Sequence, residues 1–423
     1  MRTHIKHRRH RVAAVLQRLV LLGALGGVAA CEGLLDVNLP GRVPASTLDN
    51  PQLASTLVMS AISDFECAYN NYSFGASVHS DEMWHSSGNQ IMRSWGQRRI
   101  TPDMQNYVSE TCQGWGYGLF TTIHTARFQA DDAIRRLEGF PDAEVADKPS
   151  LLATAAAYAG YSYTLLGEGF CETPVDGGPL LTPAEVLRIA EERFTKAIQL
   201  AEGAGNQDIL NMARVGRARV RLNLGDRTGA AADARLVPEG YNKVATRSGE
   251  SERRWNKARR WFEDGGHATV APGFRNLTWK GVPDPRVQVR NTGRKGFDAV
   301  TDLWVSNKYP TLESPIPLAT GKEAQLIIAE AEGGQTAVDI INRLHERAGI
   351  PPYDPATDGD IMAQVLEERR RELFQEGGHR LNDMLRHNLP FFEGVDHVGQ
   401  TYGNTTCFPL PLIERTGNPN IPG

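Results

Sequence analysis

Three times between residues 149 and 349 the chain repeats one local plan: a helical segment rich in Ala and Leu, a stop at glycine, and a second helical segment with small side chains at the contact. The first pair begins with 149–167 (PSLLATAAAYAGYSYTLLG), ending at Gly167. Its partner is the helix that Thr182 and Pro183 open and that runs through Phe194, Ala197, Ile198 and Ala201. The second couples 213–226, ending at Gly225, with 228–237, and the third couples 323–333 with 335–349. Apolar residues at every third or fourth position commit each segment to a helix. Ala and Gly at the contacts let paired helices approach closely, so this part of the chain folds as packed helical hairpins.

The pairing resembles tetratricopeptide-type packing, although its spacing is irregular and long insertions separate the units. Upstream, Asn50 reads as an N-cap with Pro51 at the first helical position. Leu53, Leu57, Ile62 and Phe65 carry that helix through Tyr69, and residues 70–112 read as loop-rich. A longer helix begins near Trp115, uses Leu119, Ile123, Ala126, Ala130, Ile134 and Leu137 as its stripe, and stops at Gly139-Phe140-Pro141. Residues 239–318 hold Trp255, Trp261, Trp279 and Trp304 and alternate too weakly for more than short strands. A last strong helix spans Asp360 to Glu376, where Gly377 and Gly378 terminate it. The expected fold is mainly α: helical hairpins with a loop-rich face and minor short β-strands, in a single domain over 50–423 with a loop-rich insertion at 239–318.

The first thirty residues read as an address. Arg2, Lys6, Arg8, Arg9 and Arg11 precede the apolar run LVLLGALGGVAA (19–30), the arrangement of a secretory signal peptide. That run is too short to span a bilayer, and nothing later approaches 18 consecutive apolar residues. Val28-Ala29-Ala30-Cys31 resembles the bacterial lipobox, in which the cysteine becomes the acylated first residue of the mature chain. Residues 31–49 then form a tether, and several acyl chains on Cys31 would anchor stably where one would not. With Arg18 the leader carries six cations and no acid, so removing it takes the formal charge from −4 to −10. A body this acidic is no general nucleic-acid binder.

Of five cysteines, setting Cys31 aside leaves Cys67, Cys112, Cys171 and Cys407, an even set in an oxidising compartment. Four cysteines allow three pairings, and sequence does not choose among them. Cys67 with Cys112 and Cys171 with Cys407 is the working pairing; four reduced thiols are the alternative. No Cys or His spacing makes a metal site. Glu82-x-x-His85 and Glu376-x-x-His379 have di-iron spacing, but Gly377-Gly378 breaks the helix that the second would need. The loop 354–359 lacks the ligands of a calcium loop at Ala356 and Val365. No nucleophile elbow, HExxH, phosphate loop or dinucleotide fingerprint occurs, and no metal or cofactor is expected. The dense run Glu367 to Glu372 reads as an ion-pair network on a partly covered helix, with Glu367 and Arg371 as an i,i+4 pair. ERRWNKARRW (252–261) reads as a local basic face.

Trp84 and Trp95 sit among Gly, Ser and Asn rather than on helical stripes. Flat rings in loops suit the apolar faces of sugars, which makes Trp84, Trp95 and the nearby Asp81 the candidate ligand contacts. Several ordered segments resemble the SusD/RagB family of outer-membrane nutrient-binding lipoproteins. They are LLDVNLPGRVPASTLDNP after Cys31, WGYGLFTTI (115–123), LLGEGFCETPVDGGP (165–179), AAADARLVPEGY (230–241), SPIPLATGKEAQLIIAEAEG (314–333), VLEERRRELFQEGGHRLNDMLRHN (365–388) and the terminal FPLP. The resemblance implies a surface-exposed lipoprotein that captures glycans or other nutrients, without cleaving them, for a TonB-dependent transporter. Two other readings remain: a glycan-cleaving lipoprotein and a helical scaffold for a protein partner.

Overall fold

Asn50 opens the folded body: its Oδ1 accepts from the Gln52 amide at 3.0 Å, and Pro51 follows as the first residue of a 3-10 turn (Pro51–Leu53). That turn runs into α1 (Ala54–His79), whose 26 residues extend ten beyond the expected end at Tyr69. The extension is buried on all sides, so it carries no amphipathic period for a sequence to display. Its polar side chains are satisfied from elsewhere in the fold. Asn70 Nδ2 donates to Trp255 O (2.8 Å), Asn71 Nδ2 to Gly118 O (2.7 Å) and Ser77 Oγ to Glu82 (2.7 Å). Tertiary partners thus override the turn-forming habit of Asn and Ser.

The computed structural model describes residues 45–104, Val108, Cys112 and 118–421. The leader, Cys31 and most of the tether lie outside the described residues, as does Trp115; within the tether, 45–48 form a 3-10 turn. After α1 come β1 (Met83–His85), α2 (Gln90–Gly96), α3 (Phe120–Gly139) and α4 (Lys148–Gly169). A short hairpin, β2 (Thr173–Pro174) and β3 (Leu180–Leu181), leads to α5 (Pro183–Ala204), α6 (Gln207–Asn223) and α7 (Arg227–Arg235). Thr182 and Glu185 form a reciprocal capping box at the start of α5. α3 packs on α1, and from α4 to α7 each helix packs on the one before it. The closest approach is made by Phe194 of α5, wedged between two glycines. A Cβ on Gly216 of α6 would lie 2.3 Å from its ring, and one on Gly160 of α4 would lie 2.7 Å away.

The 239–318 segment holds six short strands and part of a seventh besides its loops. β4 (Asn242–Ala245) pairs with β10 (Ile316–Thr320), β5 (Ala268–Val270) with β1, β6 (Thr278–Trp279) with β7 (Val282–Pro283), and β8 (Val289–Lys295) with β9 (Asp302–Ser306), all antiparallel. Its basic run is consumed internally: Arg253 pairs with Asp64 and Arg259 with Glu263 and Asp264. The chain then returns to helices α8 (Gly321–Glu332), α9 (Gly334–Ala348), α10 (Ile361–Glu372) and α11 (His379–Arg386), and a final α12 (Leu412–Gly417). Among the described residues no helix is long and apolar enough to cross a membrane.

α10 ends four residues before the expected Glu376, because Gln375, Gly377 and Gly378 all take left-handed backbone. Glycine is required at the last two for space as well. A Cβ on Gly377 would meet the Tyr69 hydroxyl, and one on Gly378 the Tyr72 ring, each at 2.5 Å. The charged run of α10 is not half-covered, as its sequence implies, but mostly buried. Glu367 and Arg371 do pair, at 2.6 Å. Glu368, Arg369, Arg371 and Glu372 are all buried, and each has partners on other elements, Asp383, Glu330, Asp284, Arg286 and His345 among them.

Candidate functional site

Two segments far apart in sequence meet at the loop-rich end. The first is β1 with α2. Asn89 caps α2 through the Ile91 amide, and Gly96 lets α2 lie against β1, since a Cβ there would be 2.9 Å from His85 Cβ. Arg98 follows in left-handed backbone (φ 55°). The second segment runs from Asn388 to Cys407. Within it the chain doubles back over 394–402, with a bridge between Val395 and Thr401 and left-handed glycines at Gly394 and Gly399.

One carboxylate latches the second segment to the first. Asp396 Oδ1 accepts from the amides of Val398 (3.0 Å) and Gln400 (2.7 Å). Its Oδ2 accepts from Gln97 Nε2 at 2.7 Å and lies 2.9 Å from His85 Nε2. Burial would raise this carboxyl, but the hydrogen bonds from His85, Gln400, Gln97 and Val398 hold it below its ordinary range. Beyond the hairpin the Gly403 amide donates to Gln97 O at 2.7 Å, a contact that leaves no room for a side chain at 403. Phe408 is then bridged to Phe170, and a disulfide joins Cys407 to Cys171 with Cα atoms 5.2 Å apart. A second disulfide joins Cys67 to Cys112.

Between these clamps lies a cavity of about 650 Å³. Arg98, Phe391, Glu393, Tyr402, Asn388 and Asn404 line it, over a floor that includes Met384 and Leu389. The Arg98 guanidinium stands over the Phe391 ring at 5.2 Å. Burial, with the Asp396 charge, pushes the Tyr402 phenol up to about 12, so it stays neutral and able to donate. The walls thus offer two aromatic rings, amide donors and acceptors, a cation and one carboxylate, a set suited to a ligand with both apolar faces and many hydroxyls.

None of the residues singled out from sequence, Asp81, Trp84 and Trp95, is among those lining this cavity. Asp81 is tied down by Arg380 of α11 through two bonds of 2.7 and 2.6 Å and acts as a strut. Trp84, on β1, has one face stacked on His397 (centroids 4.5 Å apart, 6° between planes) and takes the edge of Phe392; the Arg275 guanidinium lies 5.7 Å from its ring. Its ring partners both belong to the 388–407 segment, so it packs against the segment that carries much of the lining. Trp95 is only 1% exposed, with Leu119 also pressing on Gly75 beside it, and offers no face to a ligand. Its Gly/Ser/Asn neighbourhood belongs to a capped helix rather than to an open loop. The residues missed are Arg98, Phe391, Glu393 and Tyr402. For the last three the sequence signal is NLPFFEGVDHVGQTYGN (388–404), where two adjacent aromatics follow a proline outside any helix.

The SusD family model matches residues 323–406, from α8 through the cavity-lining segment. No curated protein matches by sequence. The fold is that of solved SusD-superfamily structures. One from Bacteroides vulgatus has a TM-score of 0.65 at 16% identity, covering 88% of this chain and 100% of the other. One from Parabacteroides distasonis has a TM-score of 0.62 at 16% identity, covering 86% and 98%. Surface glycan-binding protein A from Bacteroides thetaiotaomicron, solved in complex with laminarihexaose, has a TM-score of 0.64 at 14% identity, covering 87% and 98%.

Proposed function

We propose that this chain, with its SusD fold, is a surface lipoprotein that captures a glycan in the Arg98–Phe391–Tyr402 cavity and passes it, uncleaved, to a TonB-dependent outer-membrane transporter. The carrying observation is that cavity: aromatic faces and hydrogen-bonding side chains gathered on a rigidly clamped wall. A solved protein of the same fold holds an oligosaccharide, which favours a sugar over other hydroxylated ligands. Glu393 is the one carboxylate among the lining side chains, whereas hydrolysis of a glycosidic bond normally takes two. That favours binding without cleavage. Acylation at Cys31 would hold the body at the outer membrane, beside a transporter, where a modest affinity is compensated by local concentration.

Titration calorimetry of the detergent-solubilised lipoprotein against a panel of neutral and acidic oligosaccharides tests the reading. Binding should weaken by about tenfold or more in Phe391→Ala and Tyr402→Ala, as for aromatic anchors generally. Two wild-type-like variants would refute the assigned cavity. Release of a Cys31→Ala variant into the soluble fraction tests the anchor, and co-purification of a barrel transporter with the wild-type protein tests the partner.

A further inference from the structure

Seven arginines among the described residues are buried: Arg98, Arg127, Arg136, Arg219, Arg247, Arg369 and Arg371. Six of them have a carboxylate at ion-pair distance, supplied by Asp176, Asp132, Glu168, Glu66, Asp383 and Asp284 respectively. Arg98, 6% exposed, has none. Its Nη2 donates to Phe392 O at 2.6 Å; Nε is shut off from solvent without a partner, and Nη1 makes no hydrogen bond. Glu393, an exposed acid of the same lining, forms no ion pair with it and acts on it only at longer range. Taking a guanidinium out of water without a counter-charge costs several kcal/mol, and this fold elsewhere avoids that cost with carboxylates. Here it also accepts a left-handed backbone at the same residue, the kind of strain that collects at ligand clamps.

We infer that Arg98 is the recognition site for an oxyanion of the ligand, and that the captured glycan carries carboxylates, as a chain containing uronic acids does. The inference rests on the glycan-binding reading and narrows it. A guanidinium presents paired N–H groups in a plane that matches the two oxygens of a carboxylate. Phe391 and Tyr402 flank it, so a sugar ring can lie on an aromatic face while its C6 carboxylate reaches the cation. Burial depresses the Arg98 pKa, and the more distant charge of Glu393 only partly offsets it. A neutral glycan would fill the cavity and leave that charge buried deeper still.

The test compares oligogalacturonides with their fully methyl-esterified forms of the same length, by calorimetry on the intact lipoprotein in detergent. The two share one sugar backbone and differ at C6, where the ester carries a methyl group and no charge. The acid form should bind about tenfold or more tighter, and raising salt from roughly 20 to 500 mM should weaken the acid form alone. Arg98→Gln should weaken acid binding far more than ester binding and so erase the preference; a purely structural arginine would weaken both forms together. The salt series needs no variant and stands even if Arg98→Gln misfolds. Equal affinity for acid and ester, or binding of neutral glycans alone, overturns this inference and leaves the glycan reading intact. Tighter binding of sulfated oligosaccharides than of uronates overturns the carboxylate assignment. Binding of no oligosaccharide, neutral or acidic, overturns the reading beneath it.

Discussion

Asp396 offers the sharpest test of how the cavity is held. Its carboxylate gathers four donors, two from the hairpin amides of Val398 and Gln400 and two from Gln97 and His85 on the facing segment. The amides lie near the surface and can turn to water, but Gln97 and His85 are 3% and 2% exposed and cannot. In Asp396→Ala both buried donors are stranded at about 1–3 kcal/mol each, so a loss of about 2–6 kcal/mol is expected. Asp396→Asn keeps one acceptor oxygen and turns an amide donor toward other donors; it should lose about half as much. Because the latch fixes Gly394 and Tyr402 at the base of the hairpin, ligand affinity should fall in the same order. Urea denaturation gives the stability, and hydrogen exchange at Gln400 reads the latch directly. The carboxyl is depressed in the fold, so the latch is complete above an unfolded pKa of about 3.9. It fails as pH falls through the depressed value, and between pH 5 and 8 it contributes no slope. Unchanged exchange at Gln400 in Asp396→Ala, together with unchanged binding, would refute the latch.

Gly216→Ala tests the helix contact. Helix propensity favours the change by about 1 kcal/mol, but the Phe194 ring 2.3 Å away should turn it into a net loss of about 1–3 kcal/mol, relieved in part by Phe194→Leu. Cys171→Ser with Cys407→Ser opens a loop of 236 residues, for which chain entropy gives about 5 kcal/mol, against about 4 for the 45-residue separation of Cys67 and Cys112. The first pair should also weaken ligand binding, since it pins the strand beyond Tyr402, whereas the second should not. Burial pushes the carboxyls of Glu82 and Glu323 up to about 7 and about 8. Groups raised in this way favour the fold below their unfolded pKa of about 4.3. That contribution is lost as pH rises toward the folded values, so stability should decline from pH 5 to 8, and Glu323→Gln should flatten the decline in a urea–pH series.

Most hairpin helices were legible because each buries one stripe and shows it as a period, whereas α4, buried nearly all round, was legible from its Ala- and Leu-rich composition; the observed α5 begins at Thr182 and Pro183 as its capping residues dictate. The second half of α1 was not, since a helix buried on every side has no polar face, and its Asn and Ser look like turn residues until Trp255 O and Gly118 O are brought to them. The cavity was hidden for a related reason. Trp84 and Trp95 draw attention by size, yet size is what makes them useful as packing. Arg98 looks like any surface arginine in GQRRI, and only the fold shows that it is buried with no carboxylate at ion-pair distance.

The charged run of α10 joins these two parts of the molecule. Arg369 is held by Asp383 of α11 at 2.8 and 2.9 Å and by Glu330 of α8, while Arg386 of α11 reaches the same Glu330. A second cluster ties Arg219 of α6 to Glu168 of α4 and to Gly377 O, and Asn382 of α11 donates to Asn223 at 3.0 Å. An apolar core of the same volume would be at least as stable, but apolar contacts tolerate rotation and sliding, whereas paired guanidinium–carboxylate bonds do not. The network therefore sets the rotation of α11 against the hairpin stack. Two residues after α11 the chain becomes Asn388-Leu389-Pro390-Phe391, so that rotation decides the direction in which the cavity wall leaves the helix. The buried charges are thus the means by which a helical scaffold positions a loop-built site.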